Sequence, residues 1–276
     1  MYSLRLTCAA EESEFVSAEL WEAGTLAIGE MDADGRLVLI AGFETNSHRS
    51  ELLEQFAKYS PVWQHEPVRD WVAETQAAWP ARTVGERLFV APVWSEDVTP
   101  AGRERVVHNP GLACGTGEHP CTQLALTALE KCVTPGCRVV DVGTGSGLLA
   151  IAALRLGAAK VVGVDPDEEA MKAASENFLL NGFAPHLAVG SADCLAAACA
   201  DVTVANISGT VLLSVFDDLP RITRPGGWMI LTGFPKTEAS VFERAFAGAE
   251  MSGIGEWRCV VAQRDEGHSV VGEPKF

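Results

Sequence analysis

An α/β fold built on a doubly wound parallel sheet, behind a small α+β domain, is what this sequence predicts from three observations. Apolar runs at 138–140, 159–164 and 201–205 alternate with helical stretches at 148–156 and 168–180, the β-α-β rhythm of a parallel sheet. A glycine-dense turn, Asp141-Val142-Gly143-Thr144-Gly145-Ser146-Gly147, joins the first of these strands to its helix. The first 66 residues follow a different rhythm, strand, helix, hairpin, helix, strand.

Residues 2–8 alternate, with Leu4, Leu6 and Cys8 on one side and Ser3, Arg5 and Thr7 on the other, as a half-buried strand does. Residues 11–23 carry Val16, Leu20 and Ala23 at helical spacing and stop at Gly24. Strands at 25–31 and 37–43 flank Asp32-Ala33-Asp34-Gly35, whose Asp-Gly pair favours a hairpin. Residues 49–59 form a second amphipathic helix with Leu52, Leu53 and Phe56 inward, and 62–66 supply a fourth strand. This β-α-β-β-α-β order predicts a ferredoxin-like domain over residues 1–66. It holds twelve carboxylates against four bases, a formal charge of −8, half of the chain's −16. With no catalytic cluster, it reads as a grip for a macromolecular substrate; a solvated structural appendage is the plainer alternative.

Residues 67–84 read as a partly helical connector, with Trp71 and Trp79 before Pro80, leading into a second domain at 85–276. A strand is predicted at 87–93 and a polar turn at 98–105. Residues 109–122 are rich in glycine, which destabilises a segment unless its backbone must wrap something. The helix that follows, 122–131, places the Thr122 hydroxyl where a cap or a ligand contact is expected. His119 is the one candidate base there, although a His-Pro turn serves structure equally well. Beyond the third strand, 187–189, Asp193 stands where an acid could meet an adenine amino group, or simply lie on the surface. The fourth strand ends at Asn206-Ile207-Ser208-Gly209, and the carboxyl end of a strand beside the topological switch is where doubly wound sheets place chemistry. Pro225-Gly226-Gly227 turns into a fifth strand, 228–231, and Gly233-Phe234-Pro235 closes it, with Phe234 as a candidate pocket wall. Residues 255–264 and 268–272 are the expected final antiparallel strands.

Glycines between a strand and a helix allow positive φ and close approach to a ligand, while the helix N-terminus offers unpaired N–H groups. Asp165, ending the next strand, can accept both hydroxyls of a ribose. A dinucleotide fingerprint reads G-x-G-x-x-G. Here the glycines fall at Gly143, Gly145 and Gly147, and an acid, Asp141, stands two residues ahead. S-adenosylmethionine has no pyrophosphate, and Asp141 can offset its sulfonium, so this spacing favours S-adenosylmethionine over a dinucleotide. A structural glycine turn without a ligand is the plain alternative.

Eight cysteines without a C-x-x-C pair point to a reduced, cytoplasmic protein and to no metal site. The sequence shows no membrane span and no export signal. A net charge of −16 argues against direct nucleic-acid binding, which depends on neutralising phosphates, and would steer in a basic protein. Acidity that only aids solubility is the alternative. A monomer is expected.

Four segments together resemble the PrmA family, bacterial methyltransferases that modify large-subunit ribosomal protein L11. They are Asp70-Trp71 with 84–94, Gly115-Thr116-Gly117-Glu118-His119-Pro120-Cys121-Thr122, the run from Asp141 to Gly147, and Val204-Ala205-Asn206-Ile207. The resemblance covers residues 68–235 by motif and implies a class I S-adenosylmethionine-dependent methyltransferase with a Rossmann-like sheet. It implies cofactor contacts at Thr122, Gly143, Asp165 and Asn206, to which the loop itself adds Asp141 and Gly145. It also implies transfer to lysine and N-terminal amines of a basic ribosomal protein, with no dedicated catalytic acid or metal. The chain departs from the family at Cys114, usually Phe, and Cys121, usually Thr. Two further readings are a class I enzyme acting on another protein or a small molecule, and a module that binds the cofactor without transferring anything.

Overall fold

The computed structural model describes residues 1–33, 36–65, 79–109, 117–246 and 248–265. The Asp34-Gly35 turn, residue 66, connector residues 67–78, loop residues 110–116 and the strand expected at 268–272 lie outside these. The chain divides into two compact units, Met1–Thr75 and Gln76–Phe276.

In the first unit the order is β1 (Tyr2–Cys8), α1 (Ser13–Glu22), β2 (Ala27–Ala33), β3 (Arg36–Phe43), α2 (Arg49–Gln55) and β4 (Val62–His65). The strands form an antiparallel sheet ordered β2-β3-β1-β4. Alternation in β1 sends Leu4, Leu6 and Cys8 into a core with Val16 and Leu20 of α1 and Leu52 of α2. The ladder between β2 and β3 runs from Ala27↔Gly42 to Ala33↔Arg36. The second helix is shorter than its periodicity suggests: it ends at Gln55 and continues as a 3-10 turn, Ala57–Tyr59, before Ser60 at φ 52°.

The second unit opens with a small sheet, β5 (Arg82–Val84), β6 (Leu88–Pro92) and β7 (Glu104–His108), in that order. The sequence reads 82–84 as connector and 98–105 as a polar turn, yet both contribute strands. The reason lies in distant partners. Val84, Leu88, Val90 and Val106 share one core. The Arg103 guanidinium donates to the Gly85 and Leu88 carbonyls at 3.0 and 2.9 Å, and Arg105 donates to those of Ser95 and Asp97 at 2.7 and 2.6 Å. Charged residues that look solvated in the sequence thus fasten the backbone.

The main sheet follows: α3 (Pro120–Cys132), β8 (Arg138–Val142), α4 (Leu148–Arg155), β9 (Lys160–Asp165), α5 (Glu168–Leu180), β10 (Leu187–Val189), β11 (Ala200–Asn206), α6 (Gly209–Ser214), α7 (Asp218–Ile222), β12 (Thr223–Pro235), α8 (Ala239–Ala245), β13 (Glu250–Ile254) and β14 (Trp257–Gln263). Its order is β10-β9-β8-β11-β12-β14-β13, parallel from β10 through β12, with β14 antiparallel to both its neighbours. The sheet is therefore mixed. Successive residues bury opposite faces: Val139, Val204 and Ile230 pack with Leu126 of α3, Ile151 of α4 and Phe178 of α5, whereas Val140, Ala205 and Leu231 pack with Leu212 of α6, Leu219 of α7 and Phe242 of α8. The strand at 250–254 is not anticipated from sequence. It is the exposed edge, so its residues show little of the apolar alternation that marks a buried strand.

After β10 the chain returns to the other side of β8 and lays down β11. That reversal puts a crevice between the carboxyl ends of β8 and β11, where open α/β sheets bind ligands.

Candidate functional site

The loop leaving β8 needs its glycines twice over. Gly143, Gly145 and Gly147 have φ of 71°, 52° and 80°, a region that costs other residues backbone strain. Two of them also stand where side chains would collide. A Cβ at Gly143 would strike Ile207, and one at Gly147 would lie 3.2 Å from Ala174 and Phe178 of α5. The loop is pinned to the next strand by Gly143 and Thr144, whose N–H groups donate to the Val164 carbonyl at 2.8 and 3.0 Å.

Asp165 ends β9 beside this loop. Its Oδ2 accepts from the Gly145 N–H at 2.9 Å and its Oδ1 from the Asp167 N–H at 3.0 Å. Two backbone donors fix the carboxylate, which has about four acceptor positions, and leave room for two more bonds.

Asn206 ends β11 and donates through Nδ2 to the Thr122 hydroxyl at 3.2 Å. Thr122 does not cap α3. The helix begins at Pro120, whose missing N–H suits the first position, and His119 is the cap, its Nδ1 accepting from the Cys121 N–H at 3.3 Å. That bond leaves the neutral ring's proton on Nε2. The ring also sits edge-on to Trp257, centroids 4.5 Å apart.

These elements enclose a cavity of about 640 Å³. Thr122, Gly143, Gly145, Asp165 and Asn206 all line it, as does His119. Asp141 does not. It is fully buried behind the loop, where its Oδ2 accepts from the Thr144 hydroxyl at 2.7 Å and the Ala150 N–H of α4 at 3.2 Å. Its Oδ1 is buried with no hydrogen-bond partner among the described residues. Burial, with a smaller contribution from Asp165, raises its carboxyl from 3.8 to about 7 against the pull of those two bonds. Asp141 therefore braces the glycine loop instead of facing the cavity.

Two other sequence candidates lie elsewhere. Asp193 is exposed in the 3-10 turn Ala192–Cys194, and the neighbouring Gly190 and Ser191 line the cavity in its place. Phe234 is fully buried and stacks on Phe242 at 4.2 Å, because a register shift between Thr232 and Phe234, at Gly233 with φ 104°, turns it to the far face of the sheet. The sequence reading missed Ile207, Pro166 and Ser191 as cavity residues. Each immediately follows a strand's carboxyl end or a glycine just beyond it, and that position was the available signal.

Among the described residues no group of three or more His, Cys, Asp or Glu side chains is placed to hold a metal, and no helix is long and apolar enough to cross a membrane. Seven free thiols are described, of which burial pushes Cys132 and Cys259 up to about 12.

A mixed sheet that reverses its winding between β8 and β11, with a positive-φ glycine loop and an acid closing the next strand around one cavity, defines a doubly wound α/β protein of the class I methyltransferase type. Residues 1–265 match the family "Ribosomal protein L11 methyltransferase (PrmA)", and the chain belongs to that family. A protein of Symbiobacterium thermophilum named ribosomal protein L11 methyltransferase is 37% identical over 200 residues, 71% of this chain and 66% of that one. A namesake from Geobacter sulfurreducens is 40% identical over 203 residues, 72% of this chain and 67% of its own length. The chain thus spans about two thirds of these relatives. Among solved structures, a ribosomal protein L11 methylase from Lactobacillus delbrueckii subsp. bulgaricus superimposes with a TM-score of 0.61 at 32% identity, covering 68% of this chain and 100% of that chain.

Proposed function

We propose that this chain is an S-adenosylmethionine-dependent methyltransferase that methylates lysine and N-terminal amines of a basic protein, ribosomal protein L11. Residues 85–276 are the methyltransferase domain, 67–84 the connector, and 1–66 a ferredoxin-like recognition domain, in keeping with the sheet order β2-β3-β1-β4.

The observation that carries this reading is the Asp165 carboxylate, oriented by two backbone N–H groups at the rim of the glycine loop, in the same cavity as Asn206. Its remaining acceptor positions suit the two hydroxyls of a ribose. The cavity volume falls within the usual range for a small-molecule site. When bound, S-adenosylmethionine supplies a methyl group on a sulfonium, already a good leaving group, so the protein need furnish no general acid.

What the protein must furnish is a neutral, aligned amine. A lysine with pKa near 10.4 costs about 4.6 kcal/mol to deprotonate at pH 7. Leu149, Ile207 and Val211 in the cavity wall disfavour the ammonium form and reduce that cost. Asn206, one Nδ2 hydrogen held by Thr122, keeps its Oδ1 to accept from the amine and point the nitrogen lone pair at the methyl group.

The first unit suits a basic partner. Phe15, Trp21 and Leu26 are 63%, 55% and 58% exposed, close in sequence to Glu11, Glu14 and Glu22. Exposed aromatics amid carboxylates offer apolar anchors within an attractive field. The same field disfavours RNA, and we place the protein in the cytoplasm as a monomer.

Incubation with labelled S-adenosylmethionine and, separately, purified ribosomal protein L11, total ribosomal RNA and a protein-free cell extract tests the assignment. Label on lysine or α-amino groups of L11, located by mass spectrometry, is the expected result. Label confined to RNA or to a small molecule would overturn it.

A further inference from the structure

One face of α5, with the cap residue that follows it, joins the glycine loop of the cavity to β7 and to Asn109 just beyond it. Ala174 and Phe178 pack against Gly147, while Asn177 and Asn181, one turn apart on the same stripe, carry buried amides, 1% and 5% exposed. The Asn177 amide is spent entirely on backbone. Its Oδ1 accepts from the Asn109 N–H at 2.7 Å, and its Nδ2 donates to the Asn109 carbonyl at 3.1 Å and to the Ser146 carbonyl at 2.9 Å. The amide's orientation follows from chemistry, because a backbone N–H can only donate and carbonyls can only accept. Asn181 makes a parallel clamp on β7, accepting from the Val107 N–H at 2.9 Å and donating to the Val107 carbonyl at 2.6 Å. Its remaining bond goes to the carbonyl of Asn177 in the last turn of α5, which Asn181 caps, at 2.8 Å, and not to the glycine loop.

Ser146 is a cavity residue, and its carbonyl belongs to the peptide that leads into Gly147 at φ 80°. We propose that Asn177 is a positioning residue for the cofactor: it sets the Ser146–Gly147 peptide, and through it the turn that presents Gly145 to Asp165, and ties that turn to Asn109. This inference rests on the cofactor reading of the cavity. It adds a residue that touches no ligand yet controls how well the loop is preformed.

The two asparagines supply the test, because they make like contacts with β7 and its end but only one reaches the glycine loop. Asn177→Asp replaces a donor by an anionic acceptor facing two carbonyls, and Asn177→Ala removes the bonds without adding charge. Titration calorimetry with S-adenosylmethionine is expected to show Kd raised tenfold or more by Asn177→Asp and by a smaller factor for Asn177→Ala. In steady-state assays KM for S-adenosylmethionine should rise while kcat at saturation stays within about twofold. Asn181→Asp should lower the melting temperature with Kd unchanged. Wild-type affinity in Asn177→Ala, or an Asn181→Asp variant that loses affinity as much as Asn177→Asp, overturns the proposal. A wild-type protein that binds no S-adenosylmethionine overturns the cofactor reading itself, a distinguishable result.

Discussion

Replacing Asp141 by asparagine should remove a pH dependence of stability that the wild-type chain carries. The Asp141 carboxyl is fully buried and raised from 3.8 to about 7, chiefly by burial, with the bonds from Thr144 and Ala150 opposing. Folding therefore favours the protonated form. The folded protein keeps a proton that the unfolded chain gives up above pH 4. The contribution is fully present below that and is lost as pH rises through 7. A shift of about 3 units corresponds to roughly 4 kcal/mol in total, of which about 3 kcal/mol is lost between pH 5 and pH 8. The amide in the Asp141→Asn variant could still accept from Thr144 and Ala150 but cannot titrate. Urea unfolding of both proteins at pH 5, 6, 7 and 8 isolates the effect, since every other group is common to both. The stability of wild type relative to Asp141→Asn should fall by about 3 kcal/mol across that range. A difference that is constant, or that grows with pH, would mean that Asp141 is ionised throughout and that the orphaned Oδ1 has a partner outside the described residues.

Asp165→Ala removes the carboxylate we propose as acceptor of both ribose hydroxyls, bonds worth about 1.5 kcal/mol or more each, so S-adenosylmethionine affinity should fall at least about a hundredfold with the circular dichroism unchanged; unaltered Kd in calorimetry rejects the ribose role. Asn206→Ala should slow methyl transfer more than it weakens cofactor binding, and equal losses would reduce Asn206 to a cofactor contact. Gly143→Ala meets both a positive φ and the side chain of Ile207, and should abolish measurable binding; retained affinity would show that Ile207 yields at no cost. Changing Glu11, Glu14 and Glu22 to Gln should raise KM for a basic protein acceptor and flatten its salt dependence without altering Kd for the cofactor. A KM that does not move would separate these carboxylates from acceptor binding.

What the sequence discloses and what it hides follow from how far apart the interacting residues lie. Helix α5 and strand β10 have the bounds their patterns give, because the stop at Asn181-Gly182, the cap at Asp167 and the apolar spacing are all local. Strand β7 depends on arginines bonding to carbonyls up to 19 residues away, and the edge strand β13 lacks burial to leave a pattern. In the site, the glycine loop is legible because positive φ writes itself into the sequence as glycine. Which way a side chain points is a matter of strand parity, and parity needs the sheet. Val139 faces the layer of α3, α4 and α5, so Asp141, two residues on, faces it too and meets the Ala150 N–H of α4. Val202 and Val204 face the same layer, so Asn206 reaches Thr122 of α3. By the same rule Ile230 would send Phe234 to that layer. The register shift at Gly233 reverses it and seats Phe234 on Phe242. One irregular residue thus takes the aromatic ring from the α3 face of the sheet, and the residues that line the cavity beside Asn206 are the smaller Ile207 and Ser208.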